Sequence, residues 1–315
     1  MVNFKEFFLL RITDLSSIIK AIGGLYFVKK CLADSHNKPK LFKPSDYLAQ
    51  HASKYSDITI IAGSYALKDH IRHSNDFINK DSCFTISVNI SAISGHKVNL
   101  AFWELWDKNK TRDWFENSYL RRNPFEDLTK SCDSIVITRI SKHQVLPSKM
   151  LSIAQPNLWF ACERSIHAKP SGTSLSFLTK KLRSYLDASI KSITWRYFVP
   201  SLRASIIRAL LFACKLRPKR IIICGLSEGK NSLHFFDNNN DYPHLKEVSD
   251  KYIALNPEEV YPPHRTNNPK LGNWTALALI SLINTLTPST QIFIANKSGI
   301  HDLNKCTLPD DLDEY

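Results

Sequence analysis

The run Ile221-Ile-Ile-Cys-Gly225, entered through Arg217-Pro-Lys-Arg220, constrains the fold most. Its apolar residues follow one another with no polar alternation, the pattern of a strand covered on both faces rather than one with a wet side. Such strands belong to parallel sheets flanked by helices. Gly225 supplies the tight exit with which open α/β sheets build ligand crevices at strand carboxyl ends. Beyond it the chain changes character. Leu226-Ser-Glu-Gly-Lys-Asn-Ser-Leu-His-Phe-Phe-Asp237 and Tyr261-Pro-Pro-His-Arg-Thr-Asn-Asn268 are rich in hydrogen-bonding groups and poor in packing ones, and His264 stands isolated between prolines and asparagines.

Further runs of the same kind recur along the chain. Asp57-Ile-Thr-Ile-Ile-Ala-Gly63-Ser64 reads as strand, loop and helix start, a junction whose backbone N–H groups suit a phosphate or nucleotide, though a plain βα turn fits equally. It matches neither G-x-G-x-x-G nor a P-loop. Phe84-Thr-Ile-Ser-Val-Asn89 is a second strand; Asn89 is either a sugar- or base-binding amide or a turn residue. Asn99 to Trp106 is a third, carrying Glu104 among large apolar side chains, where a carboxylate is either paired or functional. Ser134 to Arg139 and Gln291 to Asn296 are further strands. Residues 107–123 and 274–286 read as helices, and 201–215 as a helix feeding the Ile221 strand. Residues 148–176 read as irregular. The expectation is an α/β fold: a single Rossmann-like, doubly wound, mostly parallel sheet with a helical insertion or lid and its site along one edge.

With 315 residues, 43% of them hydrophobic, the chain can bury one large domain. Its formal charge of +13 predicts attraction to an anion: nucleic acid, a phosphorylated ligand or an acidic membrane. No helix-turn-helix, zinc-finger or aromatic RNA-binding signature accompanies the charge, so nucleic acid is not the expected partner. The seven cysteines form no C-x-x-C pair, which favours reduced, buried thiols over a disulfide framework or zinc site. No stretch approaches the roughly 20 apolar residues of a spanning helix, and the amino end does not read as a signal peptide.

Residues 1–40 divide into an amphipathic segment, interrupted at Gly23-Gly24, and a polar linker. The segment either packs on the domain or lies on a membrane. Residues 41–315 are expected to form the main domain, with 148–200 as a lid or membrane-facing insertion. The basic stretch from Thr179 to Arg220 interleaves cations with large apolar residues, as helices on anionic lipid do and as solvated faces of core helices also do.

Three segments resemble the bacterial sialyltransferases of glycosyltransferase family 42. Ile60-Ile-Ala-Gly63-Ser64-Tyr-Ala-Leu67-Lys68 is similar to that family's Gly-Asn-Gly-Pro-Ser-Leu-Lys nucleotide loop. The helix from Ser201 followed by Arg217-Pro-Lys-Arg-Ile-Ile-Ile-Cys-Gly225-Leu226 is the second segment. His264-Arg-Thr-Asn267 is similar to the family's His-Ser-Lys-Asn segment, which carries its catalytic histidine. In both, the third segment is followed by a helix and a strand ending in polar residues, and the resemblance covers about residues 57 to 310 in order. The chain departs from the family at Ser64, where an asparagine is usual, and at Ser227, where an aspartate is usual. The family's phosphate-holding tyrosines have no evident counterpart in the corresponding loop, which offers Ser232, His234, Phe235 and Phe236, with Tyr242 somewhat later.

The resemblance implies a GT-A-like variant of the Rossmann fold and an inverting transfer of a sialic acid-like ulosonic acid from a CMP-sugar to a cell-surface glycan, lipooligosaccharide or capsule. It implies His264 as the general base, with Gly63, Ser64, Asn89, Ser201, Ser205, Gly225, Ser227, His234 and Asn267 around the nucleotide sugar. No cofactor is expected and no metal is required. The expected location is the cytoplasm, peripheral on the inner face of the bacterial cytoplasmic membrane, as a monomer or homo-oligomer. Two other readings stand beside it. One is a CMP-Kdo-dependent transferase acting with retention through a carboxylate nucleophile, Glu104 or Glu228. The other is a nucleotide pyrophosphokinase-like phosphotransferase, which would need magnesium and acidic ligands.

Overall fold

The computed structural model describes residues 4–33, 40–64, 67–76, 80–94, 96–104, 131–138, 157–166, 174–202, 204–226, 275–296 and 299–304. Its strands are β1 (Lys40–Leu41), β2 (Asp57–Ile61), β3 (Cys83–Val88), β4 (Leu100–Glu104), β5 (Ile135–Thr138) and β6 (Leu158–Phe160), then β7 (Cys162–Ser165), β8 (Phe198–Ser201), β9 (Arg220–Cys224), β10 (Gln291–Asn296) and β11 (Gly299–Asp302). The helices are α1 (Phe4–Ala33), α2 (Pro44–His51), α3 (Leu67–Asn75), α4 (Leu175–Asp187), α5 (Ile193–Arg196), α6 (Ser205–Lys215) and α7 (Ala276–Leu286).

Nine strands form one sheet in the order β1-β6-β5-β4-β3-β2-β9-β10-β11, parallel throughout except for the terminal hairpin β10–β11. The mostly parallel α/β sheet read from the sequence is therefore what the chain forms. β2, β4 and β5 are buried along their whole length, as uninterrupted apolar runs require. The chain leaves β2 in one direction, through β3, β4, β5 and β6. It then returns to lay β9 against the other side of β2, in the register Asp57↔Arg220 to Ile61↔Cys224. That reversal makes the β2/β9 boundary a topological switch point. At its amino end the Arg220 guanidinium grips the buried Asp57 carboxylate with two hydrogen bonds, 2.6 and 2.9 Å.

Two apolar cores cover the two faces of the sheet. One is built from α2, α4, α6 and α7 and the other from α1 and α3. The helix α6, apolar on nearly every side, is buried from Ile206 to Lys215. Ser174 and Thr275 cap α4 and α7, their hydroxyls accepting from Phe177 N at 3.2 Å and Ala278 N at 3.1 Å.

Several local expectations are corrected. The first helix runs unbroken through Gly23 and Gly24, because Ala21, Val28 and Leu32 on its packed side hold it against the core. Tertiary packing here outweighs a cost of about 1 kcal/mol per glycine. The strand from Phe84 ends at Val88, and Asn89 opens a 3-10 turn. The segment read as irregular supplies β6 to the main sheet and β7 to a separate two-stranded parallel sheet with β8; strands of three or four residues are too short for a periodic signal. The expected helix at Ser201 begins at Ser205, and Ser201 ends β8. The basic stretch is divided: Lys180, Arg183, Lys191, Arg196, Arg217 and Lys219 are exposed, whereas Arg208 and Lys215 lie inside. The helix read over 107–123 lies outside the described residues.

Candidate functional site at the switch point

Both loops at the switch point leave their strands in contact with each other. Ala62 N donates to Cys224 O at 2.8 Å, and Ser64 N donates to Gly225 O at 3.0 Å. Gly225 takes φ +73°, and a Cβ there would lie 2.2 Å from Ala62 O, so the crossing of the two chains requires glycine. Its N–H donates to Nδ1 of the fully buried His70 at 3.0 Å, which ties the loop to α3. Ser64 caps the approach to that helix, its carbonyl accepting from Leu67 N at 3.1 Å. Its Oγ is buried without a hydrogen-bond partner among the described residues, the kind of orphaned polar atom that a ligand satisfies.

The end of β3 joins the same loops. Ser91 Oγ lies 2.7 Å from Ile61 O and 2.8 Å from Val88 O, fastening the turn after β3 to the end of β2. Asn89 occupies the left-handed region at φ 52°, a conformation asparagine tolerates better than most residues. Its Oδ1 accepts from Glu104 N at 2.9 Å and its Nδ2 donates to Ser205 Oγ at 3.0 Å. The serine oxygen accepts there, and among the described residues its own proton remains to be donated.

Ser205 is the first residue of α6, and Ala204 before it offers no capping side chain. The helix runs into β9, so its N-terminus sits at the carboxyl edge of the sheet with its first N–H groups uncapped by a side chain. That end attracts an anion through its dipole and its N–H groups.

One turn further along, Arg208 turns inward, 2% exposed. Its Nη1 donates to Glu104 Oε1 at 2.7 Å and Thr138 Oγ1 at 3.0 Å. Its Nη2 donates to Glu163 Oε1 at 2.5 Å, and its Nε to Pro200 O at 3.0 Å. One side chain thus joins α6 to the ends of β4 and β5 and to β7 and β8. Burial disfavours its charge, but Glu163 and Glu104 more than offset this and hold its pKa above the ordinary arginine value. Glu104 is an ion-pair partner here. Cys224 beside the crevice is inert: burial pushes its thiol up to about 12, so it stays protonated at neutral pH.

Gly63, Ser64, Asn89, Ser205 and Gly225 are brought around the ends of three neighbouring strands, β2, β3 and β9. Ser201 instead pairs with Ser165 in the small sheet, its carbonyl accepting from Ile166 N. His264, Ser227, His234, Asn267 and Glu228 lie outside the described residues. Sequence reasoning missed His70, Arg208 and Glu163. For Arg208 a signal existed, since an arginine within an otherwise apolar helix must find buried partners. Among the described residues, no group of three His, Cys, Asp or Glu is placed to hold a metal ion, and no helix is long and apolar enough to cross a membrane.

No family model matches the chain, and no curated protein does. Among solved structures it is similar to the monofunctional alpha-2,3-sialyltransferase Cst-I from Campylobacter jejuni, at 11% identity and a TM-score of 0.42 over 84% of each chain. It is similar to the sialyltransferase CstII from Campylobacter jejuni in complex with cytidine-5'-monophosphate, at 12% identity and a TM-score of 0.38 over 79% of this chain and 83% of that one. It is also similar to the sialyltransferase CST-II in complex with trisaccharide acceptor and CMP, at 13% identity and a TM-score of 0.39 over 82% and 88%.

Proposed function

We propose that the chain is a glycosyltransferase that moves a sialic acid-like ulosonic acid from a CMP-sugar to a cell-surface glycan, with inversion. The carrying observation is the convergence of loops at the switch point, beyond the carboxyl ends of β2, β3 and β9. Among the described residues, a buried serine hydroxyl without a partner, the Ser205 hydroxyl held by Asn89 and a helix N-terminus without a side-chain cap all lie at the carboxyl edge of a parallel sheet. The choice of cytidylate and ulosonic acid follows the resemblance of the segments around Gly63, Ser201 and His264.

In this reading the acceptor hydroxyl attacks the anomeric carbon, His264 takes its proton, and the phosphate of CMP leaves with the bonding electrons. An imidazole of ordinary pKa near 6.5 suits that task, and such a base contributes on the order of 10²–10⁴ in rate. The N-terminus of α6 and the Ser205 hydroxyl offset charge developing on the leaving phosphate. A single displacement inverts the anomeric centre. The reaction would take place at the inner face of the bacterial cytoplasmic membrane, held by exposed cations such as Lys180, Arg183 and Lys191. A homo-oligomer is compatible with this arrangement.

CMP is expected to raise the melting temperature, whereas ATP with magnesium is not. His264→Ala is expected to abolish transfer while leaving CMP affinity nearly unchanged. Stabilisation by ATP with magnesium alone would overturn the transferase reading, retained turnover in the variant would reject the histidine, and transfer from CMP-Kdo with retention would replace donor and stereochemistry.

A further inference from the structure

A second concave site opens at the opposite edge of the sheet, where strands β3, β4 and β5 begin. It is a cleft of about 650 Å³ between β1, α2 and the amino ends of those strands, within the size range of small-ligand pockets. A five-residue strand spans about 17 Å, so the cleft is separated from the switch-point crevice by the full height of the sheet.

The walls are aromatic. Phe42 and Phe84 form a buried floor. Tyr47, His51 and Tyr55 stand in a row, with centroids 4.4 Å apart for the first pair and 6.1 Å for the second. Trp159 faces them from β6, and the exposed Lys40 ammonium lies over its ring at 5.4 Å. Tyr47, Tyr55 and Trp159 are half-buried, packed on the core yet lining the cleft.

The rim is polar and held in place. Asn99 Oδ1 accepts from Thr85 N at 2.8 Å, and its Nδ2 donates to Asp133 Oδ2 at 2.8 Å. The carboxylate is thereby oriented with its other oxygen available as an acceptor. Gln50 and Asp46 add polar groups to the same rim, and Asp46 lies 3.9 Å from Lys43. In a chain of net charge +13 this cleft balances two carboxylates against two lysines. Carboxylates at the rim accept readily from hydroxyls. Aromatic walls beneath acceptor-rich edges suit a ring with apolar C–H faces and hydroxyls around its perimeter.

We infer that this cleft is a saccharide-binding site, distinct from the nucleotide crevice. It does not rest on the transferase reading, and its test measures no transfer. The test is saturation-transfer NMR on the full chain with lactose and with cytidine as separate probes, in wild type and in Asp133→Ala, Gln50→Ala and Ser205→Ala. Lactose ring protons are expected to be saturated, with a dissociation constant on the order of 1 mM. Asp133→Ala should weaken binding about tenfold, as loss of a hydrogen bond to a charged group predicts. Gln50→Ala, at an exposed position, should weaken it less, while Ser205→Ala and saturating CMP leave it unchanged. A melting temperature of Asp133→Ala equal to wild type shows that folding is not the cause. Three results would each overturn the inference: no saturation of lactose, lactose binding lost with Ser205→Ala or CMP but not with Asp133→Ala, or cytidine occupying the cleft in place of lactose.

Discussion

At position 225 the backbone sits at φ +73° with Ala62 O 2.2 Å from where a Cβ would be. Gly225→Ala must therefore either strain that dihedral or push β2 and β9 apart. The strain alone costs about 1–3 kcal/mol, and each kcal/mol lowers the melting temperature of a domain this large by about 2–4 °C. Thermal denaturation of the variant is expected to show a drop of several degrees; an unchanged midpoint would mean the loop relaxes freely. The importance of this glycine was legible in the sequence, because a strand that ends in glycine before a polar loop needs a tight exit. Asn89 was legible only as a polar residue at a strand end. Its left-handed backbone and its bond to Ser205, 116 residues away, depend on how the turn after β3 meets α6.

The elements α6 and α2 each carry a group whose environment has an energetic consequence. In α6, Arg208 pairs with two carboxylates that have left water with it, Glu104 at 3% and Glu163 at 16% exposure. Removing one member of such a group strands the others, so Arg208→Met is expected to destabilise by about 3–5 kcal/mol. Adding Glu104→Gln should recover part of that loss, and a double-mutant cycle by denaturant melts measures the coupling. Equal loss in single and double variants would remove the ion pair from the account. In α2, burial and then Lys54 lower the pKa of His51, outweighing Asp133. The unfolded chain then takes up a proton near pH 6.5 that the folded chain resists. The contribution of His51 to stability is thus present above that pH and lost as pH falls through it toward the lowered folded value. Denaturation midpoints between about pH 7.5 and 5.5 should fall, and fall less in His51→Gln; parallel slopes would place the dependence elsewhere. The existence of α6 followed from its apolar run, but the direction in which Arg208 points followed from having β4, β5 and β7 around it.

Across the whole molecule, a charge of +13 coexists with an outward apolar row on α1. Leu15, Ile19, Ile22 and Tyr26 are 59%, 60%, 49% and 73% exposed, spaced along one face opposite the packed Ser17, Ala21 and Val28. An apolar row in a cationic molecule suits the anionic membrane proposed above. Pelleting with vesicles rich in anionic lipid is expected to fall in Ile19→Ser/Ile22→Ser and to weaken as salt screens the charge. Unchanged pelleting together with a smaller mass in solution would assign the row to a contact between copies of the chain. The sequence by itself determined the layered architecture, because β-branched runs without polar alternation must be covered on both faces and the helical runs between them supply the cover. Tertiary structure alone decided that β9 lies against β2, joining Asp57 to an arginine 163 residues away. Strand order is set by long-range pairing that leaves no trace in local periodicity. That pairing creates the switch point and brings Ser64, Asn89 and Gly225 to the carboxyl ends of three neighbouring strands, with Ser205 hydrogen-bonded to Asn89.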